Sequence, residues 1–110
     1  MYSAHKFGSA TPGVVPKDTI KSIDGKGTVF ETIDRETLRL IQTPQVFHAD
    51  ELKLANEIAK TANFVGTDDC SLFEHAGFSV HIIDGEYTNI KITTPEDVPV
   101  AEAIWRFLNK

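Results

Sequence analysis

From about residue 38 onward, short apolar runs alternate with stretches of helical period. That alternation restricts the chain to an α/β fold with at least part of its sheet parallel. Leu38 to Gln42 is a strand candidate closed by Thr43-Pro44. A helix is predicted from about Asp50 to Ala62. Leu54, Ala55, Ile58, Ala59 and Ala62 share one face, and Asp50 and Glu51 sit in the first turn, where the dipole favours acids. A second helix is predicted from about Asp68 to Ala76, with Thr67 as N-cap and Gly77 as its C′ stop. Phe78 to Ile83 reads as a strand before an Asp84-Gly85 turn, and Asn89 to Ile92 as another. The last helix is expected to have Thr94 as N-cap, Pro95 at N1 and Asp97 three residues after the cap. Val98, Ala101, Trp105 and Leu108 form its apolar face, with Trp105 in the core. Pro99 lacks an N–H, so distortion is expected in the first turn.

Upstream, Phe7 to Val15 reads as a strand ending at Pro16. Two β-prone runs then flank Asp24-Gly25, which predicts a hairpin. Its apolar alternation is imperfect, so residues 18–35 are expected to form a projecting arm rather than part of the core.

The 110 residues suffice for one small domain, and 41% hydrophobic with 25% charged residues supports a core. The net charge of −5, without a Lys/Arg-dense run, argues against nucleic acid as a partner. A small anion remains possible, held by a few focused cations. The single cysteine, Cys70, excludes an internal disulfide and a thiolate zinc cluster. No apolar run approaches the length of about 18 residues that marks a membrane span. The start, MYSAHKFGSA, lacks a signal peptide's apolar stretch, so a cytoplasmic chain with no membrane partner is expected.

The segment Asn89-Ile90-Lys91-Ile92-Thr93-Thr94-Pro95-Glu96-Asp97 carries the chemistry. It sets a lysine and a run of hydroxyls ahead of a helix start, where free N–H groups and the dipole suit a phosphate. Related groupings recur at predicted strand ends: Thr19 with Lys21, Thr32 with Arg35, Thr43 with Gln45, and Thr67 before Asp68-Asp69. Converging hydroxyls and cations are what a phosphate pocket on an α/β sheet needs. Each also fits a plain structural role. Thr19 and Thr32 suit a hairpin, Thr43 a turn, Thr67 a cap, and Arg35 and Lys91 a solvated surface. Asp68-Asp69 fit helix capping as well as Mg²⁺ binding, and Cys70, His75 and His81 do not have zinc spacing.

Five motifs together give a resemblance. Asp18-Thr19-Ile20-Lys21, Thr32-Ile33-Asp34-Arg35, Gln42-Thr43-Pro44-Gln45-Val46-Phe47, Gly66-Thr67-Asp68-Asp69 and Asn89–Asp97 occur in an order and spacing similar to the 2-C-methyl-D-erythritol 4-phosphate cytidylyltransferases of non-mevalonate isoprenoid synthesis. The resemblance implies transfer of CMP from CTP to methylerythritol phosphate, with Mg²⁺ and release of pyrophosphate. It implies that Thr19, Thr43 and Thr67 bind the sugar phosphate, and that Arg35 and Lys91 position its phosphate as the catalytic cations. It also implies a homodimer whose arm reaches over the partner, so that Thr19 and Arg35 serve the neighbouring site. The nucleophile, a phosphate oxygen, is already anionic, so alignment and charge cancellation suffice without a general base.

The family's Gly-rich loop for the triphosphate and its metal-binding His-Asp segment have no counterpart in the sequence. Gly25-Lys26-Gly27 comes nearest, but in a hairpin-tip context. The expectation is therefore residues 1–110 as the C-terminal half of a Rossmann-like nucleotidyltransferase sheet, holding acceptor-substrate and dimerisation functions and inactive alone. The Mg²⁺ ligands are expected outside this chain. A ribitol-5-phosphate cytidylyltransferase fragment and a non-catalytic sugar-phosphate-binding or dimerisation module are the alternatives.

Overall fold

Ser9–Val14 (β1) is the strand around which the rest is arranged in a computed structural model that describes residues 8–110. Phe7, the expected first residue of this strand, lies outside the described residues, as does His5. The chain continues through β2 (Ile20–Ile23), β3 (Val29–Ile33) and a 3-10 turn over Arg35–Thr37. Next come β4 (Leu40–Ile41), β5 (Val46–Phe47), α1 (Ala49–Thr61), α2 (Asp69–His75), β6 (Ile82–Asp84) and α3 (Asp97–Leu108).

β1 pairs on both edges. On one, β4 and β5 run antiparallel to its two ends, in the registers Val14↔Leu40 and Ala10↔Val46. Residues 42–45 interrupt this edge, and the Thr43-Pro44 peptide is cis. Pro12, which has no N–H, faces the interruption and only accepts, from the Gln42 N–H at 2.9 Å. On the other edge β6 runs parallel, with Thr11↔Ile82. The expected mixed α/β architecture with a parallel pair is therefore present.

Two buried hydroxyls tie the sheet together. Ser9 Oγ donates to the Ser79 carbonyl at 3.0 Å and accepts from the His81 N–H at 3.1 Å. Thr11 Oγ1 donates to the Gln42 carbonyl at 3.2 Å. Both residues are fully buried, where an unpaired hydroxyl would be costly.

The hairpin forms as expected. β2 and β3 pair antiparallel, and every β3 residue except Ile33 is exposed. At its tip Asp24 Oδ1 accepts from the N–H groups of Lys26 and Thr28, and Gly27 takes φ 82°. Gly25-Lys26-Gly27 is thus a turn. Lys21, expected with Thr19, instead donates through Nζ to Thr32 Oγ1 across the arm at 2.8 Å, and Thr32, expected with Arg35, is thereby half of a cross-strand pair.

α1 matches its expected span within one residue, and Ala55 and Ala59 are its buried positions. Leu54 and Ala62, expected on the same inward face, are exposed. α2 is capped by Asp68, not Thr67. The Asp68 carboxylate accepts from the Ser71 N–H at 2.8 Å, and Ser71 completes a capping box. Gly77, at φ 90°, ends the helix as expected. Phe73 is 1% exposed, with ring centroids 4.8 Å from Phe47 and 4.9 Å from Phe78.

Cys70 lies beside this cluster, and burial, reinforced by nearby Asp68, pushes its thiol up to about 11. The thiolate needed for alkylation is then scarce at neutral pH. Cys70 should label far more slowly in the folded chain than in urea. Equal rates of modification by a maleimide under the two conditions would contradict its burial.

Three expected elements differ. Phe78–Ile83 shortens to Ile82–Asp84, and Leu38–Gln42 to Leu40–Ile41. Asn89–Ile92 forms no strand, because among the described residues no strand lies alongside to complete a ladder. In α3, no residue is buried, and Trp105 is 66% exposed rather than in the core. Its α-helical conformation starts at Asp97, after a turn closed by Asp97 N–H to Thr94 O and Val98 N–H to Pro95 O. Pro99 therefore falls in the first turn proper, where helix N–H groups have no intrahelical acceptor, and the helix continues through it.

Candidate functional site

The Gln42–Gln45 interruption beside β1 is the centre of the site. Thr43 and Lys91 line one small pocket of about 130 Å³, shared with Ile41, Gln42, Asn89 and Ile90. Its walls are joined by amides. Gln42 Nε2 donates to the carbonyls of Glu86 and Asn89, at 2.7 and 3.0 Å. Asn89 Nδ2 returns a bond to the Thr43 carbonyl at 2.8 Å. This lacing holds Lys91 beside Thr43 although its segment is not a strand.

Gln45 makes the corresponding link to the other side. Its Nε2 donates to Asp68 Oδ2 at 3.2 Å, and its Oε1 accepts from the Cys70 N–H at 3.3 Å. Thr67 is exposed immediately before this anchored residue. Asp68 is thus engaged as a cap and a glutamine acceptor. Among the described residues no group of three or more His, Cys, Asp or Glu side chains could hold a metal ion.

Thr19 and Arg35 stand elsewhere, at the base of the arm next to the Ile20↔Ile33 pair. Arg35 Nη1 donates to the Lys17 carbonyl, and both residues are exposed. Within one chain, then, Thr43 and Lys91 share a pocket, and Thr67, Thr19 and Arg35 are not among the residues that line it.

The helix start does not act as expected. Asp97 Oδ2 accepts from the N–H groups of Thr93 and Thr94, both at 2.9 Å. Those bonds hold its carboxyl below the usual carboxylate range. The N–H groups that a phosphate would use are occupied by the chain's own carboxylate, so the positive charge available here is that of Lys91. The sequence grouping of Thr43 with Gln45 gave the glutamine no anchoring role, and Gln42 and Asn89 were not singled out at all. The signal was a pair of amides flanking a proline, since amides can lace loops that lack ladder partners.

A mixed sheet with one parallel pair, flanking helices and a hairpin arm fits part of a Rossmann-like nucleotidyltransferase fold. The family model described as IspD, 2-C-methyl-D-erythritol 4-phosphate cytidylyltransferase, matches residues 2–107. The chain belongs to that family. It is 51% identical over 102 residues to the enzyme of that name from Geobacillus thermodenitrificans, covering 93% of this chain and 44% of the relative. With that from Lysinibacillus sphaericus it shares 46% over 104 residues, covering 94% and 45%. The solved 4-diphosphocytidyl-2C-methyl-D-erythritol synthase from Anaerococcus prevotii superposes with a TM-score of 0.86 at 36% identity, over 96% of this chain and 47% of that one. For the Thermus thermophilus cytidylyltransferase the TM-score is 0.84 at 34% identity, over 96% and 52%. The chain thus spans less than half the length of these curated relatives. No helix among the described residues is long and apolar enough to cross a membrane.

Proposed function

We propose that this chain forms the sugar-phosphate side of a cytidylyltransferase that moves CMP from CTP to 2-C-methyl-D-erythritol 4-phosphate. The observation that carries this reading is the shared pocket of Thr43 and Lys91. Lys91 supplies a point charge to the substrate phosphate, and the Thr43 hydroxyl supplies a directional bond. Thr67, next to the Asp68 that Gln45 binds, is the third substrate contact in this reading. The held phosphate oxygen attacks the α-phosphorus of CTP, the bond from that phosphorus to the β-phosphate bridging oxygen breaks, and pyrophosphate leaves with the electron pair. The exposed base of the arm supports a further part of the reading, in which Thr19 and Arg35 complete the pocket of a second copy in a cytoplasmic homodimer. CTP and Mg²⁺ enter as partners of the complete enzyme. Family membership favours methylerythritol phosphate over ribitol phosphate as acceptor.

Calorimetric titration with 2-C-methyl-D-erythritol 4-phosphate tests the reading. The chain should bind it, and Lys91→Ala should weaken binding by about 10- to 100-fold, the worth of one charge-assisted contact. Equal binding by the variant would remove Lys91 from the site. Assayed with CTP and the sugar phosphate, the 110-residue chain should release no pyrophosphate. Turnover would overturn the division of labour proposed here.

A further inference from the structure

We propose that Gln42, Asn89 and Gln45 are positioning residues that hold Lys91 and Thr67 in place around Thr43, a role that rests on the sugar-phosphate reading above. A loop carrying a phosphate-binding lysine must be ordered before the ligand arrives, or binding must offset the ordering entropy. Strand pairing would normally supply that order, yet Asn89–Ile92 has no ladder. The amides of the Gln42–Gln45 segment take its place, each directed to one wall.

Gln42 controls the lysine wall. Its NH₂ group faces the Glu86 and Asn89 carbonyls, an assignment fixed by chemistry because only the nitrogen can donate to both. Its Oε1 is buried without a hydrogen-bond partner and lies against Gly85, where an added Cβ would collide with it. The side chain is therefore confined on one side by backbone and bonded on the other. Asn89 closes the loop back onto the Thr43 carbonyl. Gln45 controls the threonine wall through Asp68 and the Cys70 N–H. None of the three need touch the phosphate. Each sets where a residue that does touch it stands.

The role predicts selective loosening. Gln42→Glu keeps the shape but turns a carboxylate oxygen toward two carbonyls. In the ¹⁵N-labelled chain, backbone order parameters at Asn89 and Lys91 should fall from about 0.85 toward about 0.6, while those at Thr67–Cys70 hold. Affinity for 2-C-methyl-D-erythritol 4-phosphate should fall about tenfold or more, as for other supporting-residue losses. Asn89→Ala, at an exposed position and so safe for folding, should loosen the same segment. Gln45→Met should give the mirror pattern, loosening Thr67–Cys70 and sparing Lys91. A general loss of packing would loosen both walls together or neither. If the wild-type chain binds and the variants bind as tightly, or if Lys91 stays ordered in Gln42→Glu and Asn89→Ala, the positioning role is overturned. If the wild-type chain does not bind while Gln42→Glu still loosens Lys91, the sugar-phosphate reading fails and these amides are structural only.

Discussion

Phe73→Ala should cost about 3–5 kcal/mol of unfolding free energy, because it empties the centre of the core. Phe73 is 1% exposed and joins three segments: α2, which carries it, β5 through Phe47, and the run after Gly77 through Phe78. The rest of the core is small. Among the described residues Ala10, Val14, Ala55, Ala59 and Cys70 are the other buried hydrophobic ones, and none could expand into the space of a lost phenyl ring. Small domains hold only about 5–15 kcal/mol in total, so the variant should be largely unfolded at room temperature if the starting value lies near the lower end. Urea denaturation followed by circular dichroism measures the difference. Phe30→Ala is the control. Phe30 is 78% exposed on the arm, and its loss should change stability by no more than about 0.5 kcal/mol. Similar costs for the two variants would mean that the core is not built around Phe73.

Local signals in the sequence were legible where local physics decides. Gly77 stops α2 because only a residue tolerant of positive φ fits there, and the Asp24 turn closes the hairpin with its own side chain. Thr43 and Lys91, named from two separate motifs, line one pocket. What failed depended on neighbours. Asn89–Ile92 has strand composition, but a strand exists only as one side of a ladder. Thr67 and Asp68 are both good caps, and Gln45, 23 residues before Asp68, accompanies the choice of Asp68. The threonine N–H groups near Asp97 pointed to an anion site, yet the anion that fills it is three or four residues away in the same chain. The placement of Arg35 at the arm's base, away from Lys91's pocket, follows from the hairpin register and is not visible in motif order.

The exposure of α3 sets a second large effect: the chain should self-associate. An apolar helical face is ordinarily buried, yet Val98, Trp105 and Leu108 are 46%, 66% and 62% exposed, and only Ala101 and Ile104 are half-buried. Ile82 and Ile83 of β6 are 41% and 39% exposed as well. The accessible surface of 8336 Å² exceeds the roughly 6,100 Å² of a compact monomer of this size. The radius of gyration, 16.9 Å, likewise exceeds about 13 Å. The excess area is more than twice the roughly 800 Å² that one partner contributes to a standard interface. A second copy can cover such faces, and the net charge of −5 is too small to keep them apart at physiological salt. Sedimentation velocity across a concentration series should show a species at least dimeric, dissociating on dilution. Trp105→Glu with Leu108→Glu should shift it toward monomer without lowering helical content, since neither residue is buried. A monomer at every concentration would mean that this face is tolerated in water. A dimer indifferent to both glutamates would move the contact to the arm, where Phe30 and Val29 are the exposed apolar residues.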